Sequence, residues 1–592
     1  LKEPTKSNIK GGKVKGKLVL MCLNPRSETE LPPLSGLTNP RVTDLAGKKI
    51  GIIWCGKQGG ENFLDVTEEL LKKRVPDATI LRFVWGVSGA KEKIKEVDTF
   101  IYGVGDSGIG AWESTARTIA LERLGKPGVV IFSGHLIDNA KASAYAQGMP
   151  TVRMVTVPSM DYYPGRVSVK RVRPIADATI DAIIAALTRP LTPEERNPEP
   201  KLRGETAKTI KITAESYESA LEKFNRLFLE NHWGDGLPLI PPTEEAVRWM
   251  LSGTTRSPGE VIGTIPSPDG LATIGIATIE KIAINAVMAG AKPEYLPVII
   301  AAMEGLTDKN FSPHVFTSEG SFTLLIMVSG PIAKKIKMHS GIGLLGHGWR
   351  ANNTIGRAVR LSLINIGHLW PAEYDMALIG RPSSHTFYVF AENEEYCPWE
   401  PYHVSQGYKP EESCVAVSTV GGHGSIGMKI YGGGTVVPWT AKGILNDIIE
   451  DVANDRRIFA LYKAGEGSSA HPQKHIIVLH PELAIELQRL GFTNHGLRNY
   501  IIERTMVPYE ALSPEEIRGI KGRIAEASDV FFGAGVIPED RIPAFKEALK
   551  PGGKVPVVVT PDDIHIIVAG GISGYSFGMA YARGAHQTRL IR

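Results

Sequence analysis

Cysteine is scarce in this chain: Cys22, Cys55, Cys397 and Cys414 are the only four in 592 residues, with no CxxC pair and no finger-like histidine spacing. That excludes a disulfide framework and a structural zinc module, and it fits a reducing, cytoplasmic setting. An excess of charge of one sign is missing too. The formal net charge is +4 and no Lys/Arg stripe is interleaved with aromatics, so no nucleic-acid partner is expected. The one basic run, Lys2 to Lys17, carries glycines and little apolar periodicity and reads as a solvated arm over residues 1–20. No apolar run approaches the roughly 20 residues that span a bilayer, so no membrane partner is expected. No stretch reads as a signal peptide. The first residue is Leu1 rather than methionine, which leaves an upstream segment open.

What is present is a normal globular composition, 43% hydrophobic and 22% charged, long enough for three or four folding units. The 63 glycines sit in short loops without a repeating period. From about residue 47 to 188, short apolar runs alternate with helical ones. Strands are expected at Lys49–Trp54, Ala78–Val84, Val97–Val104, Gly128–Phe132 and Val152–Val157, with helices at Trp112–Leu124, Asp138–Gln147 and Ala176–Leu187. That order requires crossover connections, hence an N-terminal doubly wound parallel sheet covered on both faces, over residues 21–188. The Pro-rich, charged stretch 189–204 reads as a linker. Residues 205–592 mix amphipathic helices with glycine-punctuated strands. They are expected to form a larger α+β or α/β domain, as two lobes split near 430–440.

Ligands of doubly wound sheets sit outside the carboxyl ends of the strands. That rule gathers Cys55-Gly56-Lys57, Gly105 to Gly110, Ser133-Gly134-His135 and Pro158-Ser159 on one edge. A glycine-rich turn entering a helix also offers backbone N–H groups to an anion or oxyanion, which makes Gly108 a binding candidate. Each side chain keeps two readings. Asp106 is a cap or a catalytic carboxylate, and Ser107 bonds its own loop or acts as nucleophile with Lys57 or His135 as base. Cys55 is a small buried hydrophobe or a reactive thiol, and His135 is a surface histidine or a proton carrier. Gly103-Val104-Gly105-Asp106-Ser107-Gly108 lacks dinucleotide spacing, so NAD is not expected.

The stretch Val104-Gly105-Asp106-Ser107-Gly108-Ile109-Gly110 is followed by Ala120-Leu121-Glu122 and Gly125-Lys126-Pro127, then by Gly148-Met149-Pro150 and Val157-Pro158. With Gly56-Lys57 after the first strand, it resembles the UGSC family of bacterial (seleno)proteins over residues of about 20–185. That family is similar to the selenoprotein B subunit of glycine, betaine and proline reductases. The resemblance implies selenocysteine or cysteine after the Gly-Asp pair and a second cysteine three residues later. Here those positions are Ser107 and Gly110, and a hydroxyl cannot perform thiol redox chemistry. The remainder is similar to uncharacterised bacterial proteins associated with that domain. The matching segments include Gly234–Leu239, Glu280–Gly290, Gly348–Arg357, Phe390–Glu395 and Val568–Gly571.

In those segments Arg350, Asn352, Asn353 and Arg357 precede an apolar helix, Ala358–Ile366. Cations there oppose the helix dipole, so they bind a substrate carboxylate or form a buried ion-pair network with Glu392, Glu394 or Glu395. His339, His347, His368, His385, His403, His423, His471, His475, His480 and His495 crowd the second part at irregular spacings without HExxH. No cofactor is therefore expected, although a catalytic metal was weighed. The resulting expectation is a cytoplasmic homo-oligomeric enzyme, a lyase, hydratase or hydrolase. It would act at a carbon–heteroatom bond of a small carboxylate between the two domains. Ser107, Asp106, Lys57, Cys55 and His135 would serve in catalysis, and Gly108, Arg350, Asn352, Asn353, Arg357 and Glu392 in binding. The alternatives are a thiol-dependent reductase using Cys55 and a non-catalytic scaffold.

Overall fold

The structure is a computed structural model. It describes residues 12–14, 17–27, 31–55, 59–84, 94–158, 168–199, 207–267, 273–309, 311, 323–420, 427–432, 440–454, 474–514, 516–517, 520–521, 537, 539–574 and 576–592. Gly56, Lys57, Ser159, His423 and His471 lie outside the described residues.

The chain opens with β1 (Gly12–Val14) and β2 (Lys17–Leu23), an antiparallel pair. Residues 12–14 and 17–20, expected in a solvated arm, are therefore sheet. Val19, Leu20 and Cys22 are buried, whereas Met21 between them is exposed. The parallel sheet follows: β3 (Lys49–Trp54), β4 (Thr79–Val84), β5 (Thr99–Gly105), β6 (Gly128–Ser133) and β7 (Met154–Val157). Its order is β4-β3-β5-β6-β7, parallel throughout. The inner strands β5 and β6 are buried at every residue, as strands covered on both faces must be. Val129 and Ile131 pack with α1 (Gly60–Arg74) and, on the same face, α4 (Val169–Thr188). Val130 and Phe132 face the other way, against α2 (Gly108–Arg123) and α3 (Ile137–Ala146). The N-terminal doubly wound α/β expectation holds. Helix α4 starts at Val169 rather than Ala176, because Pro174 is accommodated inside it.

The linker stretch is tied down where it is described. Thr192 and Glu195 form a capping box, and Glu195 takes a two-point ion pair from Arg153, at 3.0 and 2.9 Å. Strand β8 (Thr209–Ala214) then returns to pair with β2. Helix α5 (Tyr217–Glu230), α6 (Glu244–Leu251) and the hairpin β9 (Val261–Pro266)/β10 (Thr273–Thr278) come next. They share one core with α7 (Ile279–Met288), α8 (Leu296–Leu306) and α9 (Arg350–Asn365). Trp112 of α2 is buried in that same core, which fastens the parallel-sheet unit to it.

Two four-stranded sheets complete the chain. In one, β11 (Leu324–Ser329) lies between parallel β12 (Tyr388–Ala391) and antiparallel β13 (Cys414–Thr419), with β20 (His586–Leu590) outermost. In the other the order is β14 (Gly427–Gly432), β19 (Ser576–Gly584), β15 (Lys474–Leu479), β18 (Ile564–Val568). A short pair, β16 (Met506–Pro508) and β17 (Lys554–Pro556), is peripheral. Helix α10 (Ala441–Asn454) covers the second sheet. Among the described residues no helix is long and apolar enough to cross a membrane.

Candidate functional site

At the carboxyl edge of the parallel sheet, three of the expected loops do converge. Ser107 is the N-cap of α2: its backbone is extended and its Oγ accepts from Gly110 N at 3.1 Å, satisfying one of the helix's open donors. The cap is Ser107 rather than Asp106. A Cβ on Gly105 would lie 3.0 Å from Cα of Ala111, so the turn into α2 needs glycine there. From the end of β6, His135 Nδ1 sits 3.1 Å from Ser133 Oγ. Burial lowers the His135 pKa and the Asp106 carboxylate opposes the shift, which puts the two on one edge. The Cys55 thiol, after β3, donates to the Val104 carbonyl at 3.1 Å. Lys57, expected as a base, is outside the described residues.

The expected binding residues of the second part have partners of their own. Helix α9 begins at Arg350, eight residues before the expected start at Ala358, so all four polar residues lie within its first turns. Arg357 makes a two-point ion pair to the buried Asp235 carboxylate, at 2.8 and 2.9 Å, and also donates to the Leu237 and Pro238 carbonyls. The partner of that pair is Asp235, where Glu392, Glu394 or Glu395 was expected. Asn352 is buried and bonded to the His339 backbone and the Val389 carbonyl. Arg350 donates to the Gly290 carbonyl, and Asn353 is half-buried on the helix. Glu392 is buried after β12, where Ser329 Oγ lies 2.5 Å from Oε2 and Tyr402 N donates to both oxygens. Burial nevertheless pushes its carboxyl up to about 7. Glu394 and His403 stand beside it. The ligand atoms of the three lie within 4.8 Å of one another, the one such metal-capable cluster among the described residues.

A different set of residues surrounds a cavity of about 220 Å³, lined by Arg26, His232, Trp233, His368, Trp370 and Glu373 among others. Arg26 comes from the irregular segment that follows β2. That segment is clamped against α7 and α9: Lys281 Nζ donates to the Asn24 carbonyl at 2.8 Å, Asn285 Nδ2 to the Pro25 carbonyl at 3.3 Å, and Ser27 Oγ to the Ile366 carbonyl at 3.1 Å. Asn365 closes the seam, donating to Asn285 Oδ1 and to the Trp233 carbonyl. The polar motif on α7 is thus a clamp for a segment arriving from far away in sequence.

His232 ends α5 at the position where a helix usually places glycine. His232 N bonds the Leu229 carbonyl, Trp233 N bonds the Phe228 carbonyl, and His232 is left-handed at φ 63°. A Cβ in that conformation costs on the order of 1 kcal/mol. His368 and Ala372, on the facing wall segment, are left-handed as well, at φ 54° and 68°. Such residues gather where a side chain is required in a fixed place. The His232 ring stacks on Trp370, 4.1 Å between centroids and 5° from parallel. Arg26 Nη2 contacts His368 Nδ1. A guanidinium only donates, so Nδ1 is the acceptor in that contact.

The wall segment also reaches the sheet unit. Glu373 O accepts from Asn139 of α3, Tyr374 packs its ring on Trp112 of α2, and Met376 packs with Ala111, Phe132 and Leu136, directly beneath the Ser107 and His135 loops. Sequence reasoning missed Arg26 and His232, and met His368 only among the histidines weighed for a metal. The motif reading began at Gly234, two residues after His232, and non-glycine residues with positive φ carry no compositional mark.

A family model described as the UGSC family matches residues 22–189. No curated protein matches the chain. The matched residues contain Arg26, the parallel sheet and the Ser107 loop, and Arg26 meets His232 and His368 from outside the match. The UGSC-family match thus covers the parallel-sheet unit, residues 22–189 of the 592.

Proposed function

We propose that the chain is an enzyme of the lyase or hydratase type, adding to or eliminating from a carbon–heteroatom bond of a small carboxylate held in the seam cavity. The observation that carries this reading is the meeting of Arg26, from the UGSC segment, with His232 and His368, from the C-terminal part, around one cavity. Arg26 supplies the planar donor fork that suits a carboxylate. His368, on the cavity wall beside Arg26, is offered as the group that carries a proton to the departing heteroatom, taking that proton up first and returning to the neutral ring. His232 and Glu373 are the groups to take the carbon-bound proton. At about 220 Å³ the cavity is smaller than the usual range for drug-sized ligands, which favours a substrate of a few carbon atoms. Ser107 stands where the family resemblance implies selenium or sulfur. Acid–base chemistry needs neither, whereas reductive cleavage would. All four cysteines are unpaired, which supports a cytoplasmic setting.

The test is turnover of a panel of 2- and 3-hydroxy, amino and thio acids of three to five carbons, followed by NMR in deuterated water. The reading expects deuterium at the carbon that gains or loses a proton, and loss of that signal in Arg26→Ala and His368→Ala. Turnover that survives both substitutions would overturn it.

A further inference from the structure

Away from the seam, Ser329 closes β11 and Glu392 follows β12, so both stand at the carboxyl ends of neighbouring parallel strands. One hydroxyl ties the group together: Ser329 Oγ is 2.5 Å from Glu392 Oε2, 2.9 Å from His403 Nδ1 and 3.0 Å from His403 N. Glu394 Oε1 accepts from Gly330 N at 2.5 Å and lies 3.9 Å from His403 Nδ1. Glu392 and His403 are buried, while the Glu394 side chain keeps 33% of its surface and opens the cluster to solvent. Asn393, between the two carboxylates, bonds the Val568 and Gly570 carbonyls, which anchors the loop to the end of β18.

Two carboxylates thus face one imidazole, and among the described residues neither has a lysine or arginine partner. A buried carboxylate with a second, half-buried one beside it and so little compensating charge is costly, and a cation between them removes that cost. We propose that Glu392, Glu394 and His403 bind a first-row divalent cation at the carboxyl ends of β11 and β12. The donors are two carboxylates and one imidazole, with the Ser329 hydroxyl alongside. That mixture suits zinc, manganese or ferrous iron better than calcium or magnesium, which prefer oxygen alone, and offers no sulfur for a soft ion. An ion about 2.1 Å from each donor draws them to about 3–4 Å from one another. They now lie within 4.8 Å, and Glu394, the exposed member, has room to close the difference.

The full chain, stripped with chelator, is titrated with Zn²⁺ and Mn²⁺, dialysed, and assayed by elemental analysis and calorimetry. Retention of one ion per chain is expected, with binding at least tenfold weaker in Glu394→Gln and in His403→Ala and unchanged in Arg26→Ala. Glu394→Gln keeps an oxygen for Gly330 N, and its melting temperature serves as the folding control. Failure of the wild type to retain either ion, or wild-type affinity in Glu394→Gln and His403→Ala, overturns the proposal. Neither result bears on carboxylate binding at Arg26.

Discussion

The carboxyl edge of the parallel sheet and the seam beside Arg26 both collect polar side chains, yet they use them in opposite ways. On the sheet edge, the Ser107 hydroxyl caps its own helix and the Cys55 thiol bonds a neighbouring carbonyl. Those groups come from adjacent strands, and their hydrogen bonds maintain the turns that carry them. At the seam, Arg26, His232 and His368 come from three distant segments, and two of them hold a left-handed backbone that their side chains make unfavourable. Groups held at a cost to stability are better candidates for chemistry than groups whose bonds support the fold.

The largest expected difference between the two regions is in activity. His368→Ala should lower turnover of a carboxylate substrate by about 100- to 10,000-fold, the usual range for a lost proton-transfer group. Ser107→Ala should leave turnover within about threefold, since its ordinary role as a cap is worth roughly 1 kcal/mol. Loss of turnover in Ser107→Ala alone would reverse the assignment.

Acid unfolding sharpens the contrast next. His565 and His586 stack at 4.0 Å between the two C-terminal sheets, and Tyr402 Oη touches both, with Ser418 and Thr588 on His586. Burial holds His586 down to about 3 and His565 well below its ordinary value, with His475, Lys474 and Arg498 adding to the effect on His565. Both are neutral when folded, and the unfolded chain protonates them below about pH 6.5, so their contribution is complete above that pH and declines beneath it. Between pH 6.5 and 5 the loss should be about 3 kcal/mol for the pair. Hydrogen exchange should show β13, β18 and β20 opening before β5 and β6; simultaneous opening would break the comparison.

Smaller in scale, Arg357→Ala strands the buried Asp235 carboxylate and should cost about 3 kcal/mol by urea unfolding. Ser107→Ala should cost about 1 kcal/mol in the same assay. Equal costs would mean that Arg357 is not the structural tie described above.

Much of the fold was legible in the sequence, because KIGIIW, TFIYGVG and GVVIFS can be buried on both faces only in an inner parallel sheet. Strand β2 was hidden by the lysines before it. The start of α9 was hidden because Arg350, Asn352 and Asn353 look unlike the apolar run that follows. The site was less legible for a physical reason. Arg357 could be recognised as a cation in need of a partner, but Asp235 lies 122 positions away. Arg26 and His368 lie 342 positions apart and meet through tertiary folding alone. Glu392 was named as a partner for the arginines and His403 among the histidines weighed for a metal, but nothing in the sequence joined them through Ser329.

Calorimetric titration of malonate into the wild type, Arg26→Ala and Ser107→Ala tests the central claim most directly. The account predicts one malonate per chain, bound at least tenfold more weakly by Arg26→Ala and with unchanged affinity by Ser107→Ala. Equal binding by the wild type and Arg26→Ala, with loss in Ser107→Ala, would contradict it and return the chemistry to the sheet edge.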